Sequence, residues 1–222
     1  MKILGIDTST KFLGAAIIDE RGVLAGYQDE GDLKHYATLV PTIDRLLKKC
    51  HLKLKNIDAI ALSIGPGSFT GLRIGVATCK GINMALGIPI VAIPTLDVIA
   101  ENFSDEKNYM LCPLLDAKKK KVYACLFDGK RGLKRLTDYM LLDVASLLKK
   151  IKNPTLIFGD AVGLYKDSLE KNSYVNVSTK SWYPRAEIVA RLGLAKARKR
   201  KFTNPDRLAP MYLHSKYCQV KK

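Results

Sequence analysis

The amino-acid sequence predicts an α/β protein made of two related lobes, the second of them reduced. Short apolar runs of strand length alternate with longer segments in which apolar residues recur at helical spacing. Residues 7–19 and 116–128 also share one pattern, in which a strand-end carboxylate, a short turn and an apolar strand lead to a second carboxylate. Such an internal duplication predicts two copies of one unit that face each other across a cleft.

The composition of the chain indicates whether a membrane, a metal ion or nucleic acid is an expected partner. With 222 residues and 47% hydrophobic content, the chain can bury a sizeable core, and the opening MKILGIDTST lacks a signal-peptide pattern, so we expect a cytoplasmic protein without membrane contact. The five cysteines form no C-x-x-C pair and the three histidines no H-x-x-x-H pair, so we expect reduced thiols and no metal site. A net charge of +16 favours contact with nucleic acid, although lysines scattered over a solvated surface give the same total.

The first half predicts three strands and a helix, then two further strand and helix pairs. KILGID is apolar and ends in a carboxylate, LGAAIID follows the TSTK turn, and VLAGYQDE follows the ERG turn. Between His35 and His51, apolar residues recur at helical spacing and Pro41 falls in the first turn, where proline is tolerated. DAIALSI is a nearly continuous apolar run, typical of a parallel strand covered on both faces. A helix to about Leu86, the strand PIVAI and the helix TLDVIAENF complete this half.

The polar stretch SDEKN predicts the boundary between the lobes, which divides the chain into residues 1–103 and residues 104–222. In the second lobe, PLLDAKKKKVYACLF repeats the strand, turn and strand of the chain's beginning. PTLIFG repeats DAIALSIG as a strand that runs into glycine. We expect this lobe to end in a basic helix, PRAEIVARLGLAKARKRK.

The stretch SIGPGSFTGLRIG lies where an apolar strand meets the second predicted helix. Its glycines Gly65, Gly67 and Gly71 follow neither G-x-G-x-x-G nor G-x-x-x-x-G-K-[ST], which excludes the dinucleotide and P-loop motifs. Ser68 is placed to cap the helix. The amide groups of the first turn, with Arg73 nearby, could still hold an anion.

The helix that follows contains three glycines, each of which lowers helix stability by about 1 kcal/mol relative to alanine. At about 100° per residue, one narrow stripe of this helix carries mainly small side chains. The stripe comprises Gly71, Gly75, Thr78, Ile82 and Ala85. It permits close approach of another element, which is either the chain's own sheet or a helix of a partner.

Four stretches together resemble the bacterial TsaB (YeaZ) family: ILGIDTST, DAIALSIGPGSFTGLRIG, PLLDAKKKKVYACLF and APMYL. The resemblance is strong to about residue 127 and returns at residues 209–213. It ends at His214, where the family usually has an arginine. The resemblance implies the duplicated actin, sugar-kinase and heat-shock ATPase-like fold, with ribonuclease H-like lobes. It also implies a role in tRNA modification, as the non-catalytic partner of a TsaD-like enzyme that transfers threonylcarbamoyl to adenosine 37 of ANN-decoding tRNAs.

The same resemblance implies where the partner docks. In the family, the second long helix and the helix before it pack against the equivalent helices of TsaD or of a second copy. We therefore expect an interface on both helices, formed by Leu39, Ile43, Leu47, Gly71, Gly75, Thr78 and Ile82. The histidine pair that binds metal in the paralogue corresponds here to Thr95 and Ile99, so we expect no catalytic or metal-binding residue of this chain's own.

Nucleotide binding is expected to be vestigial. In sugar-kinase-like folds, a carboxylate such as Asp7 faces Mg²⁺ and the following turn touches phosphate, but DTST lacks the expected turn glycine, and IFGDAVG lacks a tandem glycine pair. The predicted vestigial nucleotide or anion loop comprises Asp7, Thr8, Ser9, Gly65, Gly67, Ser68 and Arg73. We expect no cofactor of the chain's own, with ATP or ADP near a subunit interface as the remaining option.

The expected partners are a TsaD-like paralogue and, in a larger complex, a TsaE-like ATPase, with a homodimer as an open alternative. Contact with tRNA is either indirect or made through basic surface, at Lys118–Lys121 or at residues 195–201. Two other functions stay open from sequence alone. They are an autonomous ATPase or small-molecule kinase of the same superfamily, and an RNA-binding module that acts alone.

Overall fold

The computed structural model describes residues 1–29, 35–130, 132–180 and 182–214. The chain folds into two units. Of the described residues, the first unit comprises those in Met1–Val98 and Pro184–Met211, and the second comprises those in Ile99–Tyr183 together with residues 212–214. No helix within the described residues is long and apolar enough to cross a membrane.

Strands and helices alternate along the chain much as the sequence predicts. In chain order, the elements are β1 (Ile3–Asp7), β2 (Leu13–Ile18), β3 (Val23–Asp29), α1 (His35–Lys49), β4 (Ala59–Ser63), α2 (Phe69–Leu86), β5 (Ile90–Ile93), α3 (Thr95–Glu101), β6 (Met110–Asp116), β7 (Val122–Ala124), β8 (Phe127–Asp128), β9 (Lys134–Arg135), β10 (Met140–Leu142), α4 (Val144–Lys150), β11 (Thr155–Phe158), α5 (Val162–Leu169), β12 (Val175–Ser178) and α6 (Ala186–Arg198). A short 3₁₀ helix, Leu54–Asn56, lies between α1 and β4.

The sheet of the first unit has the strand order β3-β2-β1-β4-β5. The pairs β1–β2 and β2–β3 are antiparallel, whereas β1–β4 and β4–β5 are parallel. Because successive side chains of a strand point to opposite faces, Leu4 and Ile6 pack with the α1 and α2 side chains, while Ile3 packs with those of α6. Both faces are therefore covered, as the continuous apolar runs of β1 and β4 predict.

The sheet of the second unit has the order β10-β7-β6-β11-β12, with β8 paired to β6 and β9 paired to β8. Here too the central strand β6 pairs antiparallel with β7 and parallel with β11, and β11 pairs parallel with β12. The two sheets thus share one order and one set of strand directions. This agreement confirms the duplication that the sequence predicts, in which β11 repeats β4 and the turn after Asp116 repeats the turn after Asp7.

The basic helix α6 belongs to the first unit, which corrects the prediction that residues 104–222 form one continuous lobe. Its apolar side chains, among them Val189 and Leu194, pack with those of β1, β4 and β5. A Cβ at Gly193 would overlap the Cβ of Ala61, and one at Gly5 would overlap the carbonyl oxygen of Ala186. Contact this close between helix and sheet requires glycine at both positions.

Candidate functional site

The turn after β1 is built around a buried carboxyl group. Asp7, Thr8 and Ser9 are all fully buried. The Asp7 carboxylate accepts hydrogen bonds from the backbone N–H and the hydroxyl group of Ser9, each at 2.9 Å. Burial raises the pKa of Asp7 to about 6, although its hydrogen bonds offset part of this effect.

The glycine-rich loop closes over this turn. The Ser68 N–H donates to the carbonyl oxygen of Ser9 at 2.7 Å, and the Thr8 hydroxyl donates to the carbonyl oxygen of Gly71 at 2.7 Å. A Cβ at Gly67 would overlap the Ser9 carbonyl oxygen, and one at Gly71 would overlap that of Thr8. The loop thus packs directly against the backbone of the turn after β1.

The remaining predicted loop residues have structural partners. Ser68 caps α2 as predicted, since its hydroxyl accepts a hydrogen bond from the Gly71 N–H at 3.2 Å. The Gly65 N–H donates to the Thr95 hydroxyl at 3.1 Å. The guanidinium of Arg73 lies over the ring of Phe69, 3.7 Å from its centroid. The turn and the centre of the loop are therefore held together by direct contacts, whereas Gly65 and Arg73 contact residues outside the predicted set.

Three of the seven predicted interface residues are internal, which corrects their assignment to a partner surface. Leu39 is 1% exposed and packs in the core between the helices and the sheet. Gly71 contacts Thr8, and a Cβ at Gly75 would lie 2.6 Å from the Thr8 hydroxyl and 2.9 Å from the Leu62 side chain. The close approach that these two glycines permit is made by the turn after β1 and by β4 of the same chain.

The other four predicted interface residues line an apolar groove between α1 and α2. The groove has a volume of about 920 Å³. Ile43 and Leu47 are buried in its floor, while Thr78 and Ile82 are half-buried. The complete lining comprises Val40, Ile43, Asp44, Leu47, Lys48, His51, Leu52, Lys53, Leu54, Ala77, Thr78, Gly81 and Ile82.

Among the described residues, no close packing contact requires glycine at position 81. A Cβ at this position would meet no atom within 4 Å, in contrast to Gly71 and Gly75 on the same helix. Glycine in a helix interior lowers stability by about 1 kcal/mol relative to alanine. On the exposed surface of the groove, this missing side chain leaves the α2 backbone open to close approach from outside.

Sequence reasoning missed several residues of this surface. Val40 is 59% exposed on α1, and Ala77 and Gly81 are exposed on α2. Helical spacing already indicated part of this surface. Val40, Asp44 and Lys48 each follow a core-facing residue of α1 by one position, so they lie beside the buried stripe. Helical periodicity identified the buried stripe, and the groove lies along the edge of that stripe.

Thr95 and Ile99, the positions that correspond to the paralogue's histidine pair, are both part of the packed fold. Thr95 is fully buried and bonded to Gly65, and Ile99 is fully buried. Across the described ranges, no three His, Cys, Asp or Glu side chains form a group that could hold a metal ion.

The lysine-rich turn of the second unit has an unusual backbone. Lys118, Lys119 and Lys120 have φ angles of 61°, 51° and 59°. The Lys118 ammonium forms an ion pair of 2.6 Å with Asp116, and this hydrogen bond raises the pKa of Lys118. His214, whose role the sequence left open, places its Nε2 atom 3.1 Å from the Ala117 carbonyl oxygen at the base of this turn.

The basic cluster at residues 195–201 forms the end of α6 and the residues after it. Two of its cations are engaged within the first unit. The Lys196 ammonium donates to the Ala92 carbonyl oxygen at 3.0 Å, and Arg198 lies 3.5 Å from the Glu20 carboxylate. Cations near a helix C-terminus also stabilise the helix dipole, so this cluster has a structural role.

Comparison with known proteins identifies relatives of this chain. The family model for TsaD, tRNA N6-adenosine threonylcarbamoyltransferase, matches residues 30–195. The tRNA threonylcarbamoyladenosine biosynthesis protein TsaB of Bacillus subtilis (strain 168) is 34% identical over 174 residues, which cover 77% of this chain and 76% of that protein. YeaZ from Pseudomonas aeruginosa superimposes with a TM-score of 0.81 at 23% identity, covering 96% of this chain and 99% of that chain.

A more distant structure supports the fold class alone. The activator of 2-hydroxyisocaproyl-CoA dehydratase from Clostridium difficile, solved with bound ADPNP, has a TM-score of 0.50 at 11% identity and covers 92% of this chain and 99% of that one. The predicted fold, a duplicated actin and sugar-kinase-like architecture, is confirmed. From the extent of the family-model match and the identity to the Bacillus protein, this chain belongs to the TsaB (YeaZ) family.

Proposed function

We propose that the chain is a non-catalytic subunit in the biosynthesis of threonylcarbamoyladenosine in tRNA, and that it docks on a TsaD-like transferase through the groove between α1 and α2. The Bacillus relative is named as a tRNA threonylcarbamoyladenosine biosynthesis protein, which supports the assignment of this chain to that pathway. The observation that supports this docking surface is Gly81, an exposed helix glycine on the wall of a 920 Å³ apolar groove, where an added Cβ would have no atom of another described element within 4 Å.

The groove has the features of a helix-docking surface. Apolar side chains on α1 and α2 form its floor and walls, and Val40 and Met84 are 59% and 86% exposed on the same two helices. Contiguous exposed apolar surface in a folded protein marks an interaction site. Because this chain matches the TsaD family model over residues 30–195, a TsaD-like partner has the same fold and an equivalent pair of helices. Two such pairs can pack as a four-helix contact.

The absence of catalysis is proposed on the chemistry of the side chains. The turn that would meet a nucleotide phosphate is packed closely against Gly67, Ser68 and Gly71 instead. Ile99, at the position of an expected metal-binding histidine, has no donor atom to offer a metal. Nothing in the described residues supports the alternative of an autonomous kinase, so we retain ATP or ADP only as a ligand at the subunit contact.

The remaining partners follow from this role. A TsaE-like ATPase would join the larger assembly, and tRNA would meet the complex chiefly through the transferase, with the Lys118–Lys121 turn and the end of α6 as basic surface available to it. The site of action is then the cytoplasm, where tRNA is modified.

A binding titration with the TsaD-like protein of the same organism tests the docking surface. Gly81→Leu fills the open position on α2 and should weaken binding at least about tenfold, the loss expected when a central contact is blocked. Gly163→Leu is the matched control, because Gly163 is also an exposed helix glycine with no atom within 4 Å of an added Cβ. If Gly81→Leu binds as tightly as the wild type and remains folded, the groove is not the docking surface.

A further inference from the structure

Helix α6 ends at a left-handed residue that is not glycine. Arg200 has a φ angle of 51°, and its N–H donates to the Ala197 carbonyl oxygen at 2.8 Å. The Lys201 N–H donates to the Lys196 carbonyl oxygen at 3.0 Å. Helices that end in this way usually have glycine at the left-handed position, because a side chain there is strained. The chain therefore keeps a guanidinium group where glycine would be more stable.

The residues that follow are held against the first sheet. The Thr203 N–H donates to the Ile90 carbonyl oxygen at 2.8 Å, and the Thr203 hydroxyl accepts a hydrogen bond from the Ala92 N–H at 3.0 Å. Ile90 and Ala92 belong to β5. Residues 199–202 are thus fixed by α6 at one end and by β5 at the other, so the backbone that presents their side chains is defined before any ligand binds.

This segment carries three consecutive cations that the fold does not use. Lys199, Arg200 and Lys201 are exposed, and none of their side chains forms an ion pair or a hydrogen bond with a residue that the structure describes. By contrast, Lys196 and Arg198 in the last turn of α6 are both engaged within the first unit. The helix end is stabilised by those two residues, which leaves the three cations beyond it available to a ligand.

Phe202 places an aromatic ring directly after these charges along the chain. It is 42% exposed, although the next residue is bonded to β5. A fixed, exposed ring next to cations suits a ligand that offers negative charge and a flat apolar surface together. Unpaired RNA offers both, since its phosphates contact lysine and arginine while its bases stack on aromatic rings. An acidic protein or a polyphosphate would contact the cations alone.

We propose that residues 199–202 bind an unpaired stretch of RNA, with phosphate groups on the three cations and one base stacked on Phe202. This inference rests on the proposed function, which makes tRNA the RNA that the chain meets. It selects one of the two basic surfaces named there, because Lys118 of the Lys118–Lys121 turn already pairs with Asp116.

Fluorescence anisotropy of the full chain with a labelled, unmodified transcript of an ANN-decoding tRNA tests the cations. The variant is Lys199→Gln with Arg200→Asn and Lys201→Gln, in which asparagine tolerates the left-handed backbone. It should bind at least about tenfold more weakly than wild type at about 0.1 M salt. The slope of log affinity against log salt should become shallower by about 2, since each phosphate contact of a single strand contributes about 0.7.

A matched control is needed because a net charge of +16 attracts any RNA. Lys149→Gln with Lys150→Gln and Lys152→Gln removes the same charge from exposed positions at the end of α4, in the second unit. This control should weaken binding of the transcript by less than about twofold. Equal losses in the two triple variants would show that total charge binds RNA, and would overturn the inference.

Phe202→Leu separates stacking from charge, because it keeps an apolar side chain and removes the ring. It should weaken binding of the tRNA transcript at least about fivefold, the smallest loss expected for one stacked base. Binding of inorganic polyphosphate should stay unchanged. An equal effect on the two ligands, or no effect on the transcript while the chain keeps its cooperative thermal transition, would contradict a stacked base on Phe202.

A membrane surface is the other partner that cations and an exposed ring could meet. Vesicles of phosphatidylglycerol and phosphatidylcholine should bind the wild-type chain more weakly than the transcript does. Tighter binding to the vesicles, lost in Phe202→Leu, would overturn the inference in favour of a membrane.

These titrations contain no TsaD-like protein, so their failure leaves the docking surface to the Gly81→Leu titration, which contains no RNA. If Gly81→Leu leaves binding of the TsaD-like protein unchanged, the proposed docking fails while the RNA titrations still measure binding at residues 199–202.

Discussion

The Thr8 hydroxyl donates a hydrogen bond of 2.7 Å to the carbonyl oxygen of Gly71, which joins the turn after β1 to the first turn of α2. The Thr8 carbonyl oxygen in turn lies where a Cβ of Gly71 would be. The two residues hold the glycine-rich loop against the Asp7 turn by backbone contact on one side and a hydrogen bond on the other. The loop therefore fixes the position of the Asp7 turn at the end of β1.

The glycines of α2 should respond to alanine in opposite directions. Gly75→Ala places a methyl group 2.6 Å from the Thr8 hydroxyl and 2.9 Å from the Leu62 side chain, so it should lower the free energy of unfolding by about 1–3 kcal/mol. Gly81→Ala meets no atom and improves helix propensity, so it should raise that free energy by up to about 1 kcal/mol. Urea denaturation measures both changes. Equal effects of the two substitutions would contradict the internal role of Gly75.

The buried carboxyl group of Asp7 should make stability depend on pH. Its pKa is about 6 in the folded chain against 3.8 for the unperturbed group, so the folded state binds the proton more tightly. The associated stabilisation, about 3 kcal/mol at about 1.4 kcal/mol per pKa unit, is present below pH 3.8 and is lost as the pH rises through about 6. Asp7→Asn removes this titration, so the free energy of unfolding of the variant should rise relative to wild type between pH 4 and pH 7.

Asp143 provides a control of opposite sign for this pH experiment. It caps α4, and the hydrogen bond from the Ser146 N–H lowers the pKa of Asp143. The contribution of the Asp143 carboxylate to the free energy of unfolding is therefore present at neutral pH and is lost as the pH falls. Relative to wild type, Asp143→Asn should become less stable as the pH rises. A pH-independent difference between Asp7→Asn and wild type would show that Asp7 does not titrate in this range.

The isolated chain should not bind nucleotide at the Asp7 turn. Because the loop residues Gly67 and Gly71 occupy the space beside Thr8 and Ser9, calorimetric titration with Mg-ATP should give no saturable binding that depends on Asp7. Asp7→Asn, compared at a pH where both proteins are folded, is the control. Tight binding with turnover that is lost in Asp7→Asn would instead support an autonomous ATPase or kinase.

Residues 1–103 should not fold without α6. The side chains of Val189, Leu194 and neighbouring α6 residues cover one face of the first sheet, and removing the helix exposes the apolar residues of β1 and β4 beneath it. Circular dichroism of the fragment should show no cooperative thermal transition, whereas the full chain should show one. A cooperative transition in the fragment would mean that the first lobe is complete without residues 184–211.

The sequence predicted most of the strands, the two long helices, the duplication and the Ser68 cap, because these follow from local periodicity and turn chemistry. It did not predict where α6 packs, since an apolar helix face is equally suited to either sheet. It also did not separate Gly75, which packs against Thr8, from Gly81, where an added Cβ would meet no other described element. Helical spacing shows which residues share a stripe. Whether the chain itself packs against that stripe or leaves it open depends on the tertiary fold.

Hydrogen–deuterium exchange on the chain, alone and with the TsaD-like protein of the same organism, tests the central claim most directly. We predict slower exchange on partner binding at the groove-facing segments, residues 40–54 and 77–84, with no change along α6 at residues 186–198. Protection that falls on α6 instead, or none at the groove under conditions where the complex forms, would contradict docking through α1 and α2.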